Sequence, residues 1–476
     1  MSLVDDSTSD QQDTSTAKVT PARKGSPETS TQSVPADPAV ATPEEDSPEK
    51  EGTKQPTPAK EAPAEQQAPP PLRRNRDFLR LWLGAGSTLL GTRVSTTAYP
   101  LLVVWYTGSL VGAGVVGFAA LLPQLLIQLP AGVLVDRLDR RRLMITCDLV
   151  GVLSMGSVAA ALLTHHFRIQ HLVIVAFLEG SCTILYRLAE RAAVRNLVHS
   201  QHLSAALSQN EARGQAAGLI GQPTGSVLYA TGAWLPFAFT ALAHLTALGT
   251  LLTIRGRFQT ERRAKPRSIR AELAEGFAWV WGQHFVRAAT ALLAGSNFLF
   301  QIVSLALVAV IKQSGHSPAS VGAVGLLAGV GGILGALSGS WLMNRLTPPQ
   351  IVTGVLTAWA LLIVPIAFTS SPWLLGGLFS GISFTAGLLN VAGGVYQVRI
   401  TPDEMQGRVT AVGGVLASGA NSCGMLAGGV LIASNGASST ILGVAAAMAA
   451  IAVAAVLSPA IRGSSDILHE GGPAAS

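Results

Sequence analysis

Read along its length, the chain alternates long apolar segments with short polar ones, and after residue 70 it does so twelve times. A hydrocarbon layer of about 30 Å takes about 20 helical residues per crossing, and backbone groups facing lipid must bond within their own helix. By that ruler six spans lie near Phe78–Tyr106, Gly112–Val135, Leu143–Leu163, Leu172–Leu188, Ala205–Tyr229 and Trp234–Ile254. Six more lie near Arg287–Ile311, Ser320–Met343, Gln350–Phe368, Pro372–Tyr396, Val409–Ala433 and Ser438–Leu457. Between the two sets Ile269, Leu273, Phe277, Val280 and Trp281 recur at near-helical spacing with Arg270, Glu272 and Glu275 between them. That period predicts an amphipathic helix lying on the membrane surface. The expectation is an all-α membrane protein with an N-terminal six-helix bundle over 71–254, a linker over 255–286, a C-terminal six-helix bundle over 287–458 and a tail over 459–476.

Residues 1–70 differ in kind. They are rich in Pro, Ala, Glu, Thr and Ser, with almost no large apolar side chain to offset the entropy of ordering, and read as a disordered cytoplasmic tail. The tail holds 6 Lys and Arg against 13 Asp and Glu, so the +6 chain has a body of about +13. Basic excess raises nucleic acid as a partner, but these cations fall between apolar spans, which is a topogenic pattern and argues against nucleic acid. One set of loops carries Arg73, Arg74, Arg76, Arg137, Arg140–Arg142, Arg191, Arg195, the Arg255–Arg270 group, Arg345, Arg399 and Arg408; the opposite set carries only Arg168 and Lys312. Positive charge stays inside, so both termini are expected in the cytoplasm of a protein crossing the cell's inner (plasma) membrane many times. No signal peptide opens the chain, and the first span is expected to direct insertion. Cys147, Cys182 and Cys423 lie inside apolar runs without metal-ligand spacing, and no phosphate loop occurs, so neither metal, cofactor nor ATP hydrolysis is expected.

The two halves repeat. Val133–Leu138 falls over Trp341–Leu346 at an offset of 208 residues, each at the end of the second span of its half. In the first half this place reads Gly132, Val133, Leu134, Val135, Asp136, Arg137, Leu138, Asp139, Arg140, Arg141, Arg142. The pattern resembles the loop between the second and third helices of major facilitator superfamily transporters, in the form of the macrolide and siderophore efflux branch. Thr401, Pro402, Gly407, Arg408 and Val409 are similar to the signature that branch carries before its eleventh helix. The resemblance implies two pseudo-symmetric bundles around a midplane site. It also implies that Asp136 docks on the N-terminal end of the eleventh span and nearby arginines when the cytoplasmic side is shut. Gly132, Asp136, Arg137, Asp139, Arg140, Arg141 and Arg408 are the expected gate, with Asp148 in the same network. The plainer reading keeps the arginines as topogenic charges and Asp136 as a helix cap.

Charges within the bilayer are expensive and mark function. Arg93 sits mid-way along the first span and Glu179 mid-way along the fourth, so the two can pair, or Glu179 can take and release a proton; a structural ion pair is as good a reading. The antiporter motif of the fourth span would put an arginine at Ala176, where this chain has none, leaving Arg93 or Arg187 to substitute. Gly218 and Pro223 keep part of the exporter motif of the fifth span, with Gly221 and Gly225 close by. Glu211 and Arg213 read as gate residues, and His244 as a hydrogen-bonded structural residue. The second half offers Asn297, Gln301 and Asn390 but no acidic residue in its spans, which suits a bulky, apolar or amphipathic cargo. These residues point to an exporter of a small molecule, expected to be monomeric, and the resemblance implies proton coupling; a lipid or solute carrier of the same fold and a non-transporting scaffold or sensor stay open.

Overall fold

The computed structural model describes residues 71–256, 258, 259 and 269–459. The expected tails at 1–70 and beyond 459, and most of the basic part of the linker, lie outside the described residues.

The described chain is helical throughout. The first half runs α1 (Arg76–Leu102), α2 (Leu110–Leu126), α3 (Gln128–Arg137), α4 (Arg140–Leu163), α5 (Ile169–Leu197), α6 (Leu203–Thr231) and α7 (Leu235–Thr253). After α8 (Ile269–Gly282) the second half runs α9 (His284–Gln313), α10 (Ala319–Met343), α11 (Pro348–Ile363), α12 (Pro372–Ile400), α13 (Asp403–Asn435) and α14 (Ala437–Leu457). Helix starts follow from local chemistry: Asn75, Ser109 and Asp139 accept from the backbone N–H of Phe78, Gly112 and Arg142, and Thr347 with Gln350 closes a capping box on α11.

Among the described residues nine helices are long and apolar enough to cross a membrane, ten when α2 and α3, bent by 66° to one another, are counted as one span. Helices α1 and α6, at 27 and 29 residues, stand where two further spans are expected, but polar side chains lower their hydropathy. They line the interior, where such side chains are sheltered from lipid. On the outer surface Leu153, Ile174, Leu242, Leu337 and Leu361 are each more than half exposed, a distribution that lipid stabilises and water does not. Several helices outrun the expected spans at the arginine-rich end: α5 continues to Leu197 and α13 begins at Asp403.

The two six-helix bundles meet through α2 on α13 and α6 on α10. A Cβ on Gly114 would stand 2.9 Å from the Cα of Gly429, and one on Gly322 would stand 2.8 Å from the Cα of Pro223, so these helices touch backbone to backbone. Both contacts lie near the end opposite the arginine-rich loops. There the buried apolar side chains form one cluster across both bundles, from Tyr99 and Leu102 to Ile302 and Ile432. Toward the arginine-rich end that cluster continues only within the second bundle, to Ile351 and Ala455, while the first bundle has its own around Phe78, Met144 and Leu251, and a small one of Val280, Val409 and Val412 joins α8 to α13. The halves are therefore joined at one end and parted at the other.

Candidate functional site

A cavity of about 670 Å³ runs from the middle of the molecule toward the arginine-rich end. The first bundle supplies most of its wall, with Thr88, Thr92, Arg93 and Thr96 from α1, Glu179 and Arg187 from α5, and Asn210, Glu211 and Gln215 from α6; the second supplies Gln301 and Met425. A shallower cleft of about 610 Å³ at the other end, beside His316 and Trp373, holds neither carboxylate nor arginine in its wall. At that end the Lys312 ammonium donates to the carbonyl of Val104, tying α9 to the π-helical turn that follows α1.

Close packing sets where the cavity groups stand. A Cβ on Gly221 would lie 2.4 Å from Cβ of Arg93, and one on Gly225 would lie 2.7 Å from the Val94 carbonyl oxygen. Only glycine lets α6 come this close to α1, so the eroded exporter motif still does its packing work. Gly218 has open space in front of it and lines the cavity.

Arg93 and Glu179 do not pair. Glu179 is buried and accepts from the Ser95 hydroxyl at 2.6 Å and from the Tyr99 hydroxyl. Arg93 faces the cavity, with Arg187 as the charge acting on it, and neither guanidinium has an ion-pair partner among the described residues. A buried pair forms elsewhere: Arg213 binds Glu190 at 2.6 Å and the Trp82 carbonyl at 2.9 Å. Gln301 donates to Asn421 at 3.3 Å. Asn297 is half-buried and Asn390 exposed, and neither lines the cavity.

The expected gate residues share one end of the molecule without meeting. Asp136 is 60% exposed and reaches only Arg140, at 3.6 Å, while Gly132 and Arg137 are exposed. The cap of α4 is Asp139, not Asp136, since Asp139 accepts from the Arg142 N–H at 2.8 Å. Arg140 also donates to the carbonyls of Ala192 and Phe258, and Arg141 to those of Leu251 and Leu252 at the end of α7. Across the opening, Arg408 pairs with Glu275 of α8 at 2.7 Å. The first turn of α13 holds Asp403 and Glu404, with no side-chain cap on its N-terminus, and Asp136 meets neither that helix end nor Arg408 in this conformation. Asp148 is not in this network. It is fully buried, accepting from the Thr88 hydroxyl at 2.8 Å and sharing a proton with Nδ1 of His244 at 2.9 Å. The signal for these partners was present in the sequence as Thr88, Thr92, Ser95 and Tyr99, a polar stripe at helical spacing in an apolar span.

A two-bundle helical membrane protein with one polar cavity between its halves is a carrier. The Major Facilitator Superfamily family model matches residues 81–418, and the chain belongs to that family of secondary transporters. It is 27% identical over 398 residues to the multidrug efflux pump Tap of Mycolicibacterium fortuitum, covering 81% of this chain and 95% of that protein. It is 23% identical over 382 residues to the multidrug efflux pump Tap of Mycobacterium tuberculosis, covering 78% and 91%. Among solved structures it is similar to a bacterial homologue of the human lysosomal transporter Spinster in an inward-facing and occupied conformation, with TM-score 0.62 and 14% identity over 84% of this chain and 98% of that one. It is also similar to the nucleoside transporter NupG, with TM-score 0.58 and 15% identity over 80% and 98%.

Proposed function

We propose that the chain exports a hydrophobic or amphipathic small molecule in exchange for protons, as a monomer in the cell's inner membrane with both termini in the cytoplasm. The observation that carries this reading is the cavity lined by Arg93, Glu179 and Arg187, which reaches the arginine-rich end while close glycine contacts join the bundles near the other. The positive-inside rule makes the open end cytoplasmic. Resemblance to efflux pumps over nearly their whole length supports export, and supports the efflux branch read from the Asp136 loop.

In this conformation cargo enters from the cytoplasm. Gln301 and Glu211 offer hydrogen bonds and a carboxylate to its polar end, and Met425 offers apolar area. Closure brings α3 toward α13, exchanging Asp136–Arg140 and Arg408–Glu275 for Asp136–Arg408. In both existing pairs the carboxylate is exposed, at 60% for Asp136 and 58% for Glu275, and Arg140 keeps its bonds to the Ala192 and Phe258 carbonyls when Asp136 leaves, so the exchange is low in cost. Glu179, buried on hydroxyl donors, releases or takes the coupled proton.

The test is transport by the full-length protein in proteoliposomes, with ethidium as the probe and an imposed pH gradient. Ethidium movement is expected to follow the gradient, and Glu179→Gln and Asp136→Ala each to lower it about tenfold or more. Gradient-driven movement at the wild-type rate in both variants would overturn the reading.

A further inference from the structure

The inner face of α1 carries Thr88, Thr92, Ser95 and Tyr99 in line, at helical spacings of four, three and four residues. The lower end of this ladder meets Asp148 of α4 through Thr88, and the upper end meets Glu179 of α5 through Ser95 and Tyr99. His244 of α7 bonds Asp148 and lies within electrostatic reach of Glu179. A Cβ on Gly151 would stand 2.6 Å from the His244 ring, so only glycine there lets the imidazole lie flat on α4.

Two buried polar atoms in this cluster, Thr92 Oγ1 and His244 Nε2, have no hydrogen-bond partner, and the Tyr186 hydroxyl lies between Asp148 and Thr88. Unpaired polar atoms are costly when buried, so two of them beside a buried carboxylate are a poor way to build a purely structural core. They are the donors and acceptors that a mobile proton, or water carrying it, would use. Thr88, Thr92, Tyr99, Glu179 and Tyr186 also line the central cavity, which gives the cluster an opening to solvent.

We propose that this ladder joins two proton-binding sites, the Asp148–His244 pair and Glu179, into one path opening on the cavity. It rests on the antiport reading above and adds a second site, and a route between sites, to it. A proton entering at His244 Nε2 takes the pair from one net negative charge to none. One proton then leaves from the Glu179 carboxyl and the pair's extra proton refills it, carried by water from the cavity between the Thr88, Thr92 and Ser95 hydroxyls; each group on the way accepts a proton as it donates its own, so the path ends with the protons it began with. The other titratable and charged groups around the pair are Cys147 on its own helix, Tyr99 on α1, and Cys182, Tyr186 and Glu190 on α5; Arg213 of α6 pairs with Glu190.

The experiment is infrared titration of the protonated-carboxyl stretch in the full-length protein in proteoliposomes, beside ethidium transport in the same vesicles. Asp148→Asn and Glu179→Gln are each expected to remove one titrating component. His244→Gln is expected to move the Asp148 component by about one pH unit or more, a tenfold change in proton affinity. Thr92→Val, which keeps the shape and removes the hydroxyl, is expected to slow gradient-driven ethidium movement about tenfold while leaving both components in place. Should Asp148→Asn fold poorly, the His244 and Thr92 variants still decide. An Asp148 component that does not titrate, or is unmoved by His244→Gln, overturns the proposal, as does wild-type transport in Thr92→Val. If wild-type ethidium movement ignores the pH gradient while His244→Gln still shifts the Asp148 component, antiport falls and the second proton site stands.

Discussion

Arg213 and Glu190 show how residues of unlike charge are kept buried between helices. Their side chains are each 9% exposed and bind at 2.6 Å. Removing one partner strands the other, so Arg213→Ala is expected to destabilise the protein by about 3 kcal/mol or more. Glu190→Leu with Arg213→Met is expected to recover most of that, since a buried pair replaced by apolar groups is near neutral. Thermal unfolding of the three variants checks both; equal stability of the single and double variants would contradict the burial argument. At this scale the sequence marked which residues are costly in lipid, but not who answers them. Arg93 and Glu179 looked like partners because each is mid-span, yet the turns of α1 aim one into the cavity and bury the other against Ser95. Asp148 looked like part of the gate because it follows Arg142 closely, but one and a half turns of α4 carry it inward to His244.

Helices were more legible than partners. Nine to ten candidate spans and the position of α8 followed from period and length, because burial and lipid both demand an apolar face. Their ends did not, since α5 and α13 extend into the arginine-rich end where polar residues are tolerated. Two predictions belong to helix pairs. A Val at position 429 would press on Leu110 and Gly114, where a Cβ already meets the Leu110 carbonyl oxygen at 2.7 Å. Gly429→Val is expected to pry α2 from α13 at the closed end. A cysteine replacing Met425, in a chain whose Cys147, Cys182 and Cys423 are Ala, should then react severalfold faster with a membrane-impermeant thiol reagent from outside; an unchanged rate would place the closure elsewhere. Glu275→Gln frees Arg408 from α8. For an exposed pair worth up to about 1 kcal/mol, the inward-closed population is expected to rise by up to about fivefold.

For the molecule as a whole, the offset repeat and the alternation of cations gave the two-bundle architecture, because membrane insertion writes both into the chain. The conformation was not legible. It depends on which small residues meet across the bundles, and Gly114 with Gly429 gives no sign of its partner in the sequence. Parting at one end and contact at the other are what the proposed rocking about the cavity requires. The most direct test is a spin-label distance between Leu138→Cys on the Asp136 loop and Gly407→Cys at the start of α13, in the same cysteine-free background. The account predicts two exchanging distances, the longer matching this structure, with Glu275→Gln enriching the shorter. A single distance, unmoved by that substitution or by pH, would contradict it.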